Sequence, residues 1–148
     1  VCVNGLPGIV FEHRDGGSPL ESIRTPNGSV AHIPTLYLYG QVTQPGVMRY
    51  QAGSYTSLQV VLKPHALQTL LGLNASMMTN SIVDLSEFAD TTFQLQMVEA
   101  GSVGEQVRLI TRFLADKLGQ ARNRDCLIEE SLCHIQQGGA RAIHKPTF

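Results

Sequence analysis

The 148-residue chain reads as an α+β protein, an antiparallel β-barrel or sandwich followed by a C-terminal helical segment. Three observations predict this. The first 63 residues are short apolar runs punctuated by turn formers, Asn4-Gly5, Pro7-Gly8, Gly16-Gly17, Pro26-Asn27-Gly28 and Pro45-Gly46. Turn signals at such spacing favour antiparallel strands over a parallel sheet, which needs intervening helices. The period then changes inside Leu58 to Gly72, where Val60, Val61 and Leu62 are β-formers but Ala66, Leu67, Leu70 and Leu71 recur at helical spacing. Beyond Gly72, polar caps and i, i+3, i+4 apolar patterns dominate.

Taken in order, the predicted strands are Ile9 to His13, Leu20 to Arg24, Ser29 to Ile33, Leu36 to Thr43, Val47 to Gln51 and Ser57 to Lys63. In the fourth, alternation puts Leu36, Leu38 and Val42 on one face, a core face, and Tyr37, Tyr39 and Gln41 on the other. Phenol and amide tips give a mainly apolar pocket its orienting hydrogen bonds, so the second face is a candidate cavity wall. A half-exposed sheet surface would also favour tyrosine, which is simply a good β-former.

Pro64 suits the first turn of a helix, where its missing donor would lack a partner, and Gly72 stands where helices stop. Asn74 is placed to cap a short turn through Met77, Thr79 to Leu85 looks extended, and a short helix covers Glu87 to Ala89. Thr91 or Thr92 would cap a helix through Ala100. Ser102 and Glu105 have capping-box spacing at the start of a long helix, SVGEQVRLITRFLADKLGQ. Its apolar residues Val103, Val107, Ile110, Leu114 and Leu118, widened by Leu109 and Phe113, make a stripe broader than one neighbour needs. Packing on its own subunit and dimerisation are both consistent with that stripe. A final helix begins near Asp125, with Leu127, Ile128, Ser131, Leu132 and Ile135 on its apolar face, and ends at Gly138-Gly139.

Composition narrows the function. An apolar fraction of 43% and a charged fraction of 16% are those of a globular protein. No apolar run is long enough to span a bilayer, so the expectation is a cytoplasmic chain without membrane contact. Residues 1–100 carry an acidic excess and the remainder a basic one, neither dense enough for a nucleic-acid footprint. Cys2, Cys126 and Cys133 read as free thiols, because the last pair is about 10 Å apart along one helix. With no C-x-x-C pair and no H-x-H, no metal centre and no cofactor is expected. No nucleophile elbow, phosphate loop or dinucleotide fingerprint is present, and Glu12, Asp15 and Glu21, near turns, read as solvated. No catalytic residue is nominated. The chain is read as a non-enzyme.

The order of features resembles the N-terminal regulatory domain of AraC-family transcriptional regulators. Asn4-Gly5-Leu6-Pro7-Gly8-Ile9-Val10-Phe11 is similar to an early P-D-G-x-x-x-x-x-F motif. Gly40-Gln41-Val42-Thr43-Gln44-Pro45 matches G-x-x-T-x-P, and Val60 to Gly72 matches V-x-F-x-P-x-x-L-x-x-L-L-G. Met78-Thr79-Asn80-Ser81-Ile82-Val83-Asp84-Leu85 parallels L-T-D-x-x-V-D-L. The similarity covers roughly residues 4 to 137 through several degenerate motifs.

The resemblance implies a cupin-like barrel that senses a small-molecule effector, helices that form a homodimer, and DNA binding only through a C-terminal domain absent from this chain. On that reading residues 1–63 are the β part of the sensor and 64–137 its helical, dimerising part. Residues 138–148 are the truncated start of a helix-turn-helix domain. Tyr37, Tyr39 and Gln41 are the expected effector contacts, and Val103, Val107, Ile110, Leu114 and Leu118 the expected dimer contacts. Two departures are the lack of about twenty residues before the first motif and of the helix-turn-helix half. With the missing initiator Met, they lead to the expectation that the chain is a piece of a longer protein. The alternative is a small cupin-like β-barrel enzyme or a free-standing small-molecule-binding protein. A barrel filled by its own side chains, acting only in assembly, is a third reading.

Overall fold

A computed structural model describes residues 5–121. All three cysteines, the final predicted helix and the segment 138–148 lie outside the described residues. Seven strands and three α-helices follow one another as β1 Gly8–His13, β2 Leu20–Thr25, β3 Gly28–Ala31, β4 Leu36–Tyr39, β5 Val47–Tyr50, β6 Thr56–Val61, α1 Ala66–Leu71, β7 Ile82–Asp84, α2 Thr91–Glu99 and α3 Val103–Gln120. The strands form two antiparallel sheets, one ordered β6-β1-β4-β7 and one ordered β3-β2-β5. Among the described residues no ladder joins them, so the protein is α+β with two open sheets.

The four-stranded sheet is covered on both faces. Ile9, Phe11, Leu36 and Leu38 point to one side, where they are fully buried with Leu67, Leu85, Met97 and Ile110 of the helical section. Burying each such side chain contributes about 1.5 to 3 kcal/mol, which makes this the main core. Val10 and Tyr37 point the other way and share a smaller cluster with Leu20, Ile33 and the partly buried Ile23 and Tyr50. The second sheet is thinner, and every residue of β3 is exposed.

Local chemistry explains most boundaries. Asp15 and Gly16, at φ +49° and +79°, make the two-residue turn that pairs Arg14 with Gly17. Positive φ at both central positions gives the twist that hairpins prefer. Pro64 does not open α1; it sits inside the turn closed by Ala66 N–H donating to the Lys63 carbonyl at 2.9 Å, and His65 takes the cap position. Gly72 ends α1 in the left-handed region at φ +68°. Asn74 caps a 3-10 turn over Ala75–Met78, and Asp84 caps another over Leu85–Glu87.

Asp90, rather than Thr91 or Thr92, caps α2, its carboxylate accepting from Phe93 N–H at 2.8 Å. Asp90 is the extended residue, at φ -74° and ψ 162°, immediately before the first helical turn, which places its carboxylate beside the free amides. Ser102 caps α3 by accepting from Glu105 N–H at 3.2 Å, and Glu105 reaches back to Gly101 N–H at 3.0 Å.

β7 pairs with β4 beyond the helix α1, in the register Tyr37↔Asp84, Leu38↔Val83 and Tyr39↔Ile82. A division at residue 63 therefore cuts across one sheet. The extended stretch expected at Thr79 to Leu85 is a strand only over Ile82–Asp84.

Candidate functional site

Between the two sheets lies a cavity of about 330 Å³. Its floor follows from the pairing of β1 with its neighbours. Gly8 stands between Tyr39 and Val61, Val10 between Tyr37 and Gln59, and Glu12 beside Ser57. These are the alternate residues of three adjacent strands, so their side chains leave the same face of the sheet. Ile23, Thr25, Met48 and Tyr50 of the second sheet form the roof.

Gly8 is required by this packing. A Cβ there would lie 2.5 Å from both the Tyr39 hydroxyl and the Val60 carbonyl oxygen.

The rim is a clasp between two loop segments. Gly40 N–H donates to the Ser81 carbonyl at 3.2 Å and Asn80 N–H to the Gln41 carbonyl at 2.9 Å. The Asn80 side chain completes it, accepting from Thr43 N–H at 2.9 Å and donating to the Thr43 hydroxyl at 2.8 Å. Asn80 holds φ +56°, a region asparagine tolerates better than most residues. A Cβ on Gly40 would collide with the Met78 carbonyl. The clasp explains why β4 stops at Tyr39 instead of running on to Thr43.

That early stop divides the predicted wall. Tyr37 and Tyr39 line the cavity, but Gln41 is exposed and is not among the lining residues, whereas Val42, expected on the core face, is one of them. Alternation holds only while the backbone stays extended, and the clasp ends it at Gly40.

The residue that sequence reasoning missed is Glu12. It is only 6% exposed, and its Oε1 accepts from the Tyr50 hydroxyl at 3.3 Å and the Ser57 hydroxyl at 3.2 Å. Its Oε2 is buried without a hydrogen-bond partner. Burial pushes the Glu12 carboxyl above its ordinary value of 4.5, and the two hydroxyl donors only partly offset this. The same burial, with the nearby carboxylate, pushes the Tyr37 and Tyr50 phenols up, so both stay protonated, Tyr50 as a donor to Glu12. At the other end Gln59 donates to the Tyr39 hydroxyl at 2.6 Å. The signal for Glu12 was its place two residues after Val10 in IVFEH, which puts both on one face.

The expected dimer stripe is also divided. Ile110 is buried in the chain's own core at 3% exposure and Leu114 packs partly against it, while Val103, Val107 and Leu118 are exposed. Helix α3 rolls its Gln106, Ile110 and Phe113 side inward, so Ile110 is not available to a partner. A second depression, of about 290 Å³, lies between α2 and α3, with Phe88, Phe93 and Phe113 beneath a rim of Asp90, Arg112 and Lys117. Among the described residues no three His, Cys, Asp or Glu side chains gather as metal ligands.

Fold and site together define a two-sheet α+β domain with an aromatic, carboxylate-bearing cavity between its sheets. Residues 1–84 match the family described as a domain of unknown function, DUF6597, and the chain belongs to that family. The matched region ends with β7 and contains every residue that lines the cavity between the sheets. No curated protein and no solved structure matches the chain. Among the described residues no helix is long and apolar enough to cross a membrane.

Proposed function

We propose that this chain is the sensor and dimerisation part of a cytoplasmic, AraC-type one-component transcriptional regulator, and that it carries out no catalysis itself. The observation that carries the reading is the cavity between the sheets, built from Tyr37, Tyr39, Tyr50 and Glu12 and lying wholly within the family-matched region. A concave, mainly apolar site with a few converging polar groups is the ordinary form of a small-molecule site. In this reading the two sheets are a cupin-like sensor with an open seam. Tyr37 and Tyr39 contact the effector, and DNA is bound only by a domain beyond this chain.

The route outward supports it. Asn80, Ser81 and Ile82 line the cavity, and the same segment runs through Asp84 and Leu85 into α2 and α3. An effector that tightened the clasp would shift the helices only through unequal affinity for two arrangements, worth about 1 to 3 kcal/mol in typical coupling. Val103, Val107 and Leu118 are then the apolar contacts offered to a second copy.

The test joins two measurements. Full-length protein is expected to bind operator DNA as a dimer, with Val107→Asp shifting it toward monomer, while the present chain binds DNA no better than a neutral control. Tight sequence-specific DNA binding by this chain alone would overturn the assignment. A second reading, a small cupin-like enzyme, is favoured by one observation, the raised Glu12 carboxyl beside the Tyr50 hydroxyl, which is the form of a general acid. Turnover of any bound ligand, lost in Glu12→Gln with binding retained, would select it.

A further inference from the structure

We propose that the cavity between the sheets takes a small organic cation, a protonated amine carried on an apolar or aromatic body, with Glu12 as the ammonium acceptor. This rests on the reading of the cavity as a ligand site and adds the class of ligand.

Three features converge on it. First, the carboxylate is buried and half satisfied: Oε1 takes both hydroxyl donors, from Tyr50 and Ser57, and Oε2 takes none. A buried carboxylate oxygen without a donor is costly, and an N–H of a cation is the partner that best offsets it. Second, no Lys, Arg or His among the described residues lines the cavity, so none of them supplies Glu12 with a counter-charge there or a carboxylate or phosphate ligand with a cation. Third, the lining near Glu12 includes the phenol rings of Tyr37 and Tyr50, the latter stacked on Tyr55 at 5.1 Å. Phenol rings favour a cation placed over them.

The geometry also sets length. From Gly8 to Glu12 is four residue steps along the strand, about 13 Å at the usual rise. Glu12 marks one end of that span and the Tyr39–Gln59 hydrogen bond the other, with Val10 and Tyr37 between. A ligand filling it carries its ammonium at the Glu12 end and its apolar body over Val10, with room for a small polar group beside Tyr39.

The groups that face Glu12 are the Tyr37 phenol from β4, Tyr50 from β5 and Ser57 from β6, with Tyr55 behind Tyr50. Arg14, just past the end of β1, donates from its guanidinium to the Ala52 carbonyl. Because burial holds the Glu12 carboxyl above its ordinary value, amine affinity should rise with pH through that titration. It should then stay level until the amine itself loses its proton.

The experiment is calorimetry on the whole chain with three probes of similar shape, phenethylamine, phenethyl alcohol and phenylpropionate. Two variants accompany them. Glu12→Gln keeps the shape of the side chain, and Val61→Trp fills the cavity mouth from a half-exposed position on β6. Phenethylamine is expected to bind about tenfold or more tighter than the alcohol, with Glu12→Gln removing that preference and Val61→Trp weakening all binding. The wild-type pH profile is an independent check should Glu12→Gln fail to fold.

If the alcohol or the carboxylate binds as tightly as the amine, and Val61→Trp still blocks it, the ligand class falls and the cavity reading stands. An amine preference that survives Glu12→Gln, or wild-type affinity flat across the acid range, overturns the ligand class in the same way. Absence of binding by all three probes at millimolar concentration, or binding indifferent to Val61→Trp, overturns both.

Discussion

The two faces of the four-stranded sheet come from alternate residues of the same strands, and they could hardly differ more. Ile9, Phe11, Leu36 and Leu38 meet the helices in a closed apolar core. Their immediate neighbours Val10, Glu12, Tyr37 and Tyr39 face a cavity, with a carboxylate and phenols in place of aliphatic partners. The difference separates the face that carries the main core from the face that leaves a cavity. The helix face is close-packed, and this rigid floor lets the opposite face leave space and a half-satisfied carboxylate in place.

Substitutions on the two faces should therefore behave differently. The largest contrast is expected within one strand. Ile9→Ala should destabilise by about 2 to 5 kcal/mol, since it opens a void in the closed core. Val10→Ala should cost about 1.5 kcal/mol, close to the transfer cost of the lost methyls, because its neighbour is already a cavity. Equal losses in urea unfolding would erase the distinction between the faces.

Next in size is the clasp. Gly40→Ala forces a Cβ onto the Met78 carbonyl and should cost about 1 to 3 kcal/mol. It should also loosen the cavity rim at Val42 and Asn80, seen as faster amide exchange at Thr43, whose N–H the Asn80 side chain holds.

Smaller again, Ser102→Ala removes the α3 cap and should cost about 1 kcal/mol without altering the cavity. Ligand binding that followed this helix-side loss would blur the division of the two faces.

The smallest effect has a distinctive sign. A raised carboxyl in the folded state means that Glu12 favours folding below its ordinary value of 4.5, and that this contribution is lost as pH rises through the folded-state value. Glu12→Gln should thus leave stability near neutral pH unchanged or higher and flatten the acid-side dependence, measured by urea unfolding across pH. A variant clearly less stable than wild type at neutral pH would show that the carboxylate is satisfied after all. At the alkaline end the raised Tyr37 and Tyr50 phenols give a second window. Stability should fall as pH climbs above their ordinary value of 10, because only the unfolded chain ionises them readily.

Much of this was legible in the chain. The order of strands, the change of period after Lys63, the Gly72 stop and the Ser102 cap with Glu105 are local matters, set by turn chemistry and capping within a few residues. The opposition of Leu36 and Leu38 to Tyr37 and Tyr39 followed from pleating alone.

What lay beyond local rules was decided by contacts far apart in sequence. Gln41 leaves the cavity and Val42 enters it because Asn80, 37 residues beyond Thr43, clasps that turn and ends the strand. Glu12 is buried because the second sheet brings Tyr50 to it and β6 brings Ser57, over separations of 38 and 45 residues. The rotation of α3 that takes Ile110 into the core and leaves Val103 and Val107 outside depends on which other helices and sheet face receive it. Sequence by itself determined the elements and their alternating faces, because backbone sterics, capping and pleat act over a few residues. Only the tertiary structure decided which face stays empty and which carboxylate it buries, because burial is a property of the whole packed assembly and of no single strand.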